Sequence, residues 1–228
     1  MDLGTIGYAI SVWLLPVIVA ITFHEAAHGW VAERFGDPTA RALGRVTFNP
    51  IKHVDPFGTL ILPGLLLLLK APVLFGYAKP VPVNFARLNH PKRDMIWVAL
   101  AGPGINIALA YASALALRAV YPPTSEVTDW LSQNLANSIQ INIILAVFNL
   151  LPIPPLDGGR VVTGLLPHPY AWRFAQIERY GLLILLGLLF IVPVAAQSLG
   201  YPVNPIAYVL LPPVEWIYHL VLDLAGFA

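Results

Sequence analysis

Two histidines and a glutamate near the N-terminus have the spacing of a metal-binding hydrolytic motif. Residues 24–28 read HEAAH. On a helix this spacing puts His24 and His28 on one face, a turn apart, where they can hold one zinc ion while Glu25 addresses its bound water. The motif follows a segment that is otherwise apolar from Ile6 to Phe23. Ionisable groups in such a segment are costly unless they are paired or bind a metal, so we interpret the motif as functional and not as a chance match.

A catalytic zinc site needs a third protein ligand and one open position, and the sequence offers two candidates. Asp157 lies in the segment NLLPIPPLDGG at residues 149–159, where prolines end a helix and glycines permit a tight turn. Alternatively, it is an ordinary turn residue. Glu215 forms a polar stripe with His219 and Asp223 at intervals of four residues. Alternatively, this stripe faces the helix bundle or reaches toward the membrane surface.

The elements that position these residues are expected to be membrane helices. The chain is 57% hydrophobic and only 11% charged, whereas soluble domains carry about 25% charged residues. We predict an all-α polytopic membrane protein of five to six transmembrane helices, forming a single domain over residues 1–228 with a core at 6–160 and C-terminal helices at 180–224. The clear spanning candidates are residues 6–34, 95–118, 134–151, 180–198 and 203–224.

Composition also excludes several kinds of site. The chain has no cysteine, which rules out disulfides, thiolate-bound zinc, iron–sulfur clusters and cysteine nucleophiles. Nothing in its charge pattern indicates a nucleic-acid partner.

The apolar run at residues 57–75 either crosses the membrane or re-enters it. Its charge-free part, Phe57–Leu69, has 13 residues, fewer than the roughly 20 that a crossing needs. Of the 13 Lys and Arg residues, 12 fall at residues 34–93 and 160–179. If the run re-enters, these two stretches share one side, which the positive-inside rule makes cytoplasmic. We therefore predict a re-entrant segment near the cytoplasmic face and an outward-facing N-terminus.

Depth in the membrane separates the two candidate ligands. His24 lies about 24 Å along its helix from the outer end, within a hydrocarbon core of about 30 Å, and so near the cytoplasmic face. In the re-entrant topology the helix at 134–151 delivers Asp157 to the same level. Glu215 lies about halfway along its helix and is less well placed.

Between these regions, Lys79–Phe85 predicts extended chain because its alternate prolines restrict the preceding residues. This small β element could be an edge that pairs with an extended substrate, or a plain surface hairpin. His53 and Asp55 could line a water path to the metal or cap the re-entrant segment, and we favour the cap.

The HEAAH and NLLPIPPLDGG segments together resemble the site-2 protease family, the intramembrane zinc metalloproteases. Further similarity covers GDPTA at 36–40, NPIKHVDPFGT at 49–59, AKPVPVN at 78–84 and AGPGIN at 101–106. These segments are similar to the compact bacterial and archaeal branch that lacks PDZ and CBS domains. Residues 180–228 carry no such similarity.

The resemblance implies a role for each matching residue. His24, His28 and Asp157 would be the ligands of Zn²⁺, Glu25 the general base, and Asn149 a contact to the substrate backbone or the developing oxyanion.

The helix at 95–118 would be the middle of three core helices, with Gly102 and Asn106 allowing close helix contact. The substrate would be a transmembrane segment of another protein, cleaved in regulated intramembrane proteolysis within the lipid bilayer of a bacterial or archaeal cell, with the active site toward the cytoplasm. Two alternatives are a membrane metal transporter or channel that uses the Glu215 stripe, and an inactive relative that binds substrates without cutting them.

Overall fold

The three-dimensional structure, a computed structural model, describes residues 3–69, 71, 75–201 and 204–227. Regular elements in these ranges are all helical. The α-helices described are α1 (Leu3–Arg34), α2 (Thr39–Ala42), α3 (Leu62–Leu68), α4 (Pro91–Val120), α5 (Glu126–Asn149), α6 (Asp157–Leu165), α7 (His168–Ala175), α8 (Gly181–Leu186), α9 (Val192–Ser198) and α10 (Pro205–Ala225). Short 3-10 turns occupy Pro50–His53, Phe85–Arg87 and Gln176–Tyr180, and π-helical turns occupy Pro56–Ile61 and Gly187–Ile191.

The all-α prediction is confirmed, and the predicted β element is not. No strand occurs among the described residues, and residues 75–84 have no regular secondary structure. Two prolines in this stretch, Pro80 and Pro82, lack the backbone N–H groups that a strand ladder would use.

Four helical stretches of the described residues are long and apolar enough to cross a membrane: Gly4–Arg34, Pro91–Val120, His168–Ser198 and Pro205–Ala225, of which the third includes α7, α8 and α9. This supports an integral membrane protein but does not confirm the predicted count of five to six spans. The helix expected at 134–151 begins earlier, at Glu126, because Ser125 and Thr128 form a capping box.

The core of the fold consists of α1, α4 and α5. Asn106 Nδ2 donates to Asn142 Oδ1 at 2.7 Å, and the hydroxyls of Ser113 and Ser138 lie 2.8 Å apart. Residue numbers therefore rise along α4 as they fall along α5, so these helices are antiparallel. Fully buried Ala110 and its neighbours on α4 pack against Ile139 and Ile143 on α5, where small side chains let the helices approach closely.

Helix α1 runs parallel to α5. Gln133 Nε2 donates to Tyr8 Oη at 2.8 Å, and Asn137 Nδ2 donates to the Val12 carbonyl at 3.0 Å. The bundle thus has two ends. We call the end where α1 and α5 finish and α4 begins the histidine end, and the end where α5 begins the far end.

Helix α10 closes the bundle and runs parallel to α4. At the far end, Arg118 Nη1 donates to the carbonyl of Ala225 at 2.9 Å. At the histidine end, Ile206 is buried with Leu151 and Leu189. Helix α10 therefore begins at the histidine end and finishes at the far end.

This direction bears on the predicted spans 180–198 and 203–224, of which residue 203 lies outside the described ranges. Two consecutive full crossings would make α10 antiparallel to α4, contrary to the contacts. Leu185 and Leu189 belong to one buried cluster with Leu151 and Leu156. Helix α8 and the π-helical turn after it therefore stay at the histidine end.

The apolar run at 57–75 is a closed hairpin in which both ends meet. The helical part, Pro56–Leu68, is about 20 Å long at 1.5 Å per residue, and Lys70 and residues 72–74 lie outside the described ranges. Tyr77 N–H donates to the Gly58 carbonyl at 3.0 Å, and Thr59 Oγ1 donates to the Tyr77 carbonyl at 3.0 Å. A crossing would separate these residues by a bilayer thickness, so the contacts contradict one.

Asp55 and His53 stabilise the start of this hairpin. The Asp55 carboxylate accepts the N–H groups of Phe57 at 3.0 Å and Gly58 at 2.7 Å, which caps the helix. His53 is buried and bonds to the Thr47 carbonyl at 3.0 Å. These contacts support the capping interpretation over a water path.

Candidate metal centre

The two histidines of the HEAAH motif lie side by side on the face of α1 that meets α4. His24 and His28 are 7% and 6% exposed, respectively. Their Nε2 atoms are 3.1 Å apart, as expected for residues one helical turn apart.

Asp157 reaches this pair because the chain turns back tightly after α5. It is the first residue of α6, and its Oδ2 lies 3.2 Å from the Nε2 of His24 and 3.2 Å from the Nε2 of His28. A Cβ on Gly158 would meet the Leu150 carbonyl oxygen at 2.2 Å, so only glycine fits this turn. The structure therefore unites the predicted third residue with the histidines.

Within the described ranges, His24, His28 and Asp157 form the group of His, Asp and Glu side chains that could hold a metal ion. The competing candidate, Glu215, does not join it. Glu215 is exposed on α10, so the depth argument that favoured Asp157 agrees with the geometry.

The protonation of the cluster fits a cation. His28 Nδ1 lies 2.7 Å from the Val98 carbonyl, which can only accept, so Nδ1 carries the proton and Nε2 presents a lone pair. His24 Nδ1 lies 2.6 Å from Asn106 Oδ1, which gives the same tautomer. Asp157 Oδ2 is buried without a hydrogen-bond donor, because the nitrogens facing it carry no proton. Three lone pairs thus converge, as metal ligands must.

The spacing of the three atoms also fits zinc. Ligand atoms at about 2.0–2.1 Å from a tetrahedral zinc are about 3.3–3.4 Å apart, close to the 3.1–3.2 Å separations of the two imidazole nitrogens and the carboxylate oxygen. Two imidazole nitrogens and one carboxylate oxygen are also a donor set that zinc binds in catalytic sites.

Gly102 on α4 leaves room for the cluster. A Cβ at this position would lie 2.4 Å from His28 Nε2 and 2.6 Å from His24 Nε2. Any side chain here would occupy the space in front of the metal-facing nitrogens. The resemblance implies that Gly102 allows close helix contact, and the structure adds that the space it leaves lies in front of the metal-facing nitrogens.

Glu25 lies outside the three-residue cluster and contacts the irregular segment at residues 75–84. It is half-buried, and its Oε2 accepts the backbone N–H of Val81 at 2.7 Å. The same segment is tied down by Lys79 N–H, which donates to the His53 carbonyl at 2.9 Å, and by Asn84 N–H, which donates to Asp37 at 2.6 Å. Three hydrogen bonds therefore hold residues 79–84 in place beside the HEAAH motif.

Asn149 is the last residue of α5, and its side-chain amide donates to the Leu145 carbonyl of the same helix at 2.9 Å. It is half-buried. Its role at the substrate stays a prediction from the resemblance.

Sequence reasoning missed the residues that hold the histidines in place. Asn106 and Asn142 are both fully buried, and Asn106 bonds directly to His24. The available signal was an amide side chain in each of two apolar helices. Sequence analysis assigned Asn106 only to close helix contact and did not consider Asn142.

The comparisons with known proteins identify the family of this chain. The family model of "Peptidase family M50" matches residues 12–129 and 122–192. The chain belongs to peptidase family M50. This is the site-2 protease family that the motifs resemble.

Several relatives match over most of their length. "Putative zinc metalloprotease YwhC" of Bacillus subtilis is 40% identical over 195 residues, covering 84% of this chain and 85% of the relative. Rip2 of Mycobacterium tuberculosis, with the same description, is 34% identical over 193 residues, covering 83% and 69%. MJ0611 of Methanocaldococcus jannaschii, described likewise, is 29% identical over 185 residues, covering 78% and 83%. No solved structure matches.

Family membership and geometry together establish the general character of this M50 protein. It is an integral membrane protein of a metalloprotease family whose cofactor is zinc. The cluster of His24, His28 and Asp157 is the group in the described ranges able to hold that ion.

Proposed function

We propose that this M50 protein is an intramembrane endopeptidase that cleaves transmembrane segments of other membrane proteins in regulated intramembrane proteolysis. The observation that carries the proposal is the convergence of two imidazole nitrogens and one carboxylate oxygen within 3.2 Å of one another, buried among apolar helices. A hydrolytic zinc site in such surroundings acts on substrates that enter the membrane.

In this proposal His24, His28 and Asp157 hold the zinc and Glu25 is the general base. When bound, zinc lowers the pKa of a coordinated water and polarises the scissile carbonyl. Glu25 would accept a proton from the attacking water and pass it to the leaving amine. Val81 N–H holds one oxygen of the Glu25 carboxylate at 2.7 Å, which orients the side chain and leaves the other oxygen for the proton. Asn149 would contact the substrate backbone or the oxyanion.

The site is proposed to lie toward the cytoplasm. The cluster sits at the histidine end, where α1 finishes at Arg34 and α4 begins among Lys92 and Arg93, whereas the far end has Arg118. Basic residues concentrate on the cytoplasmic side of membrane proteins. The hairpin at 57–75 then enters and leaves the membrane on that same side.

A transmembrane substrate must unwind to expose a peptide bond, and we propose that residues 79–85 bind the unwound chain. In extended chain the N–H groups of Lys79 and Val81 share one edge, and both are engaged. The opposite edge carries Pro80 and Pro82, so it offers carbonyl acceptors but few donors. We expect a substrate to donate its own N–H groups there.

Removing the substrate's donors tests this binding edge. A membrane-spanning peptide whose backbone amides around the cleavage site are N-methylated cannot donate to the Pro80 and Pro82 carbonyls, and the unmodified peptide is its control. We expect a raised KM for the methylated peptide. Unchanged turnover and KM would exclude binding along this segment.

The function itself is tested with purified protein and a labelled membrane-spanning peptide. We expect cleavage that a chelator stops, that zinc restores and that Glu25→Gln removes without loss of the metal. Cleavage that the chelator does not affect would contradict the zinc mechanism, and a wild-type protein that binds zinc and peptide without cutting would establish the inactive relative instead. Nothing favours the transporter alternative, since the Glu215 stripe is exposed and has no contact with the cluster.

A further inference from the structure

A chain of buried side-chain hydrogen bonds links His24 to α5, a helix that supplies no residue to the metal cluster. His24 Nδ1 lies 2.6 Å from Asn106 Oδ1, and Asn106 Nδ2 donates to Asn142 Oδ1 at 2.7 Å. Asn142 Nδ2 in turn donates to the Ser138 carbonyl at 2.9 Å. Asn106 and Asn142 are each 0% exposed, so water cannot substitute for these partners.

The direction of donation along this chain is fixed at its α5 end. The Ser138 carbonyl is a backbone oxygen and can only accept, so it selects the NH₂ group of Asn142. The Asn142 oxygen must then face Asn106. That oxygen can only accept, so it selects the NH₂ group of Asn106.

A second backbone oxygen fixes Asn106 independently. The same Nδ2 donates to the Ala20 carbonyl on α1 at 3.2 Å. Both amide protons of Asn106 are therefore used, and its oxygen is turned toward His24. An amide oxygen accepts, so His24 must carry its proton on Nδ1 and leave the Nε2 lone pair for a metal.

The two histidines differ in how this tautomer is secured. His28 Nδ1 donates to the Val98 carbonyl at 2.7 Å, a main-chain acceptor that cannot turn around. Asn106, in contrast, could rotate by half a turn and present NH₂ to His24, which would favour a proton on Nε2. Asn142 and Ala20 oppose that rotation.

We propose that Asn106 is a positioning residue for the metal ligand His24, and that Asn142 on α5 keeps the Asn106 amide in the required orientation. The proposal deepens the proposed function and rests on it, because the ion for which His24 is positioned is zinc. It makes α5 a determinant of metal affinity although α5 provides no ligand. Partners that orient metal-bound histidines typically change metal affinity about 10–100-fold when removed.

Zinc affinity, measured without any substrate, tests the proposal. The full chain is purified in detergent, stripped of metal, and titrated with Zn²⁺ against a chromogenic chelator. We expect Asn106→Leu to weaken zinc binding about 10–100-fold and Asn142→Leu to weaken it by less, because Ala20 still engages Asn106. Asn106→Asp retains an acceptor toward His24 Nδ1 and is expected to bind zinc more tightly than Asn106→Leu.

Asn134→Leu is the matched control. Asn134 lies on the same helix, is 5% exposed, and donates only to the Trp130 carbonyl of that helix at 2.9 Å. This variant also removes a buried amide from α5, but we expect zinc affinity to stay within about twofold of wild type. Asn142→Leu also keeps the test possible if Asn106→Leu fails to fold.

The outcomes separate this proposal from the proposed function. If wild type binds no stoichiometric zinc, the metal centre itself is wrong. If wild type binds zinc and the Asn106→Leu and Asn142→Leu variants bind it equally well, the proposed role of Asn106 and Asn142 is wrong, although the zinc site is confirmed. If Asn134→Leu and Asn142→Leu lose zinc affinity equally, the hydrogen-bond network contributes only to packing and not to the positioning of His24.

Discussion

Two regions of this protein place three ionisable side chains on apolar helices, and the fold treats them in opposite ways. His24, His28 and Asp157 are each less than 8% exposed and converge on one point. The α10 stripe, defined as Glu215, His219 and Asp223, is exposed along its whole length. Ionisable residues four positions apart on a helix therefore belong to a buried cluster in one region and to an outward-facing surface in the other.

The difference follows from the side chains with which each helix packs against its neighbours. Helix α10 packs Val214, Ile217, Val221 and Ala225 against α4 and α5, which turns the stripe outward. Helix α1 instead presents the histidines to Gly102, where the absence of a side chain leaves a cavity for them. The inward histidines thus face a glycine on the neighbouring helix, whereas the stripe faces away from the bundle.

We expect the largest difference in kcat between Glu25→Gln, beside the cluster, and Glu215→Gln, on the α10 stripe. We expect Glu25→Gln to lower kcat for a membrane-spanning peptide by about 10²–10⁴-fold, the usual contribution of a general base. Glu215→Gln should leave kcat within about twofold of wild type, because an exposed side chain away from the metal takes no proton from its water. A comparable loss in both variants would mean that the stripe takes part in the reaction.

The next comparison concerns two glycines of α4, of which Gly102 lies beside the histidines and Gly104 is exposed. Gly102→Ala would put a methyl group 2.4 Å from His28 Nε2, so we expect zinc affinity to fall by a factor of about ten or more. A methyl group on Gly104 would meet no atom within 4 Å, and Gly104 is exposed, so Gly104→Ala should bind zinc as wild type does. Titration with Zn²⁺ against a chelator measures both. Equal affinities would show that the site does not need the gap at Gly102.

A smaller effect is expected from two aspartates outside the cluster. Asp37 is 0% exposed and accepts hydrogen bonds from Thr39 and from Asn84 N–H. Although burial opposes ionisation, these bonds hold the pKa of Asp37 below its usual value. Since the folded-state pKa is depressed, the stabilisation is present above the unfolded pKa of about 3.9 and is lost as pH falls through the folded value.

At pH 7, Asp37→Asn should therefore lower the free energy of unfolding by about 1–3 kcal/mol, and the difference from wild type should shrink as the pH falls below about 4. Asp223→Asn on the stripe should change stability by no more than about 0.5 kcal/mol. Denaturant melts in detergent across pH measure both. A constant Asp37→Asn deficit at all pH values would assign the effect to packing and not to charge.

The sequence was sufficient for the cluster because its residues carry local signals. HEAAH sets a helical spacing, and the prolines and glycines around Asp157 set a turn. Depth in the membrane then favoured Asp157 over Glu215, and the family resemblance implied the same three ligands. Asn106 and Asn142 have no such signal, because a lone amide in an apolar helix acquires its role only from the neighbour it meets. The direction of α10 was missed for the same reason, since hydropathy records length but not which helix packs alongside.

The hairpin at 57–75 and the segment that follows it were predicted only in part. Its length and the charges around it predicted that it would not cross, and the pairing of Gly58 with Tyr77 agrees. The edge strand expected at Lys79–Phe85 did not form a ladder. Asp37, His53 and Glu25 take its N–H groups instead.

The most direct test of the buried metal centre is the zinc content of the purified wild-type protein beside that of Asp157→Ala and of Glu215→Ala. We expect one zinc per chain in wild type and in Glu215→Ala, and loss of zinc in Asp157→Ala. Zinc retained in Asp157→Ala but lost in Glu215→Ala would contradict this assignment, because the metal would then lie at the α10 stripe and not at the buried cluster.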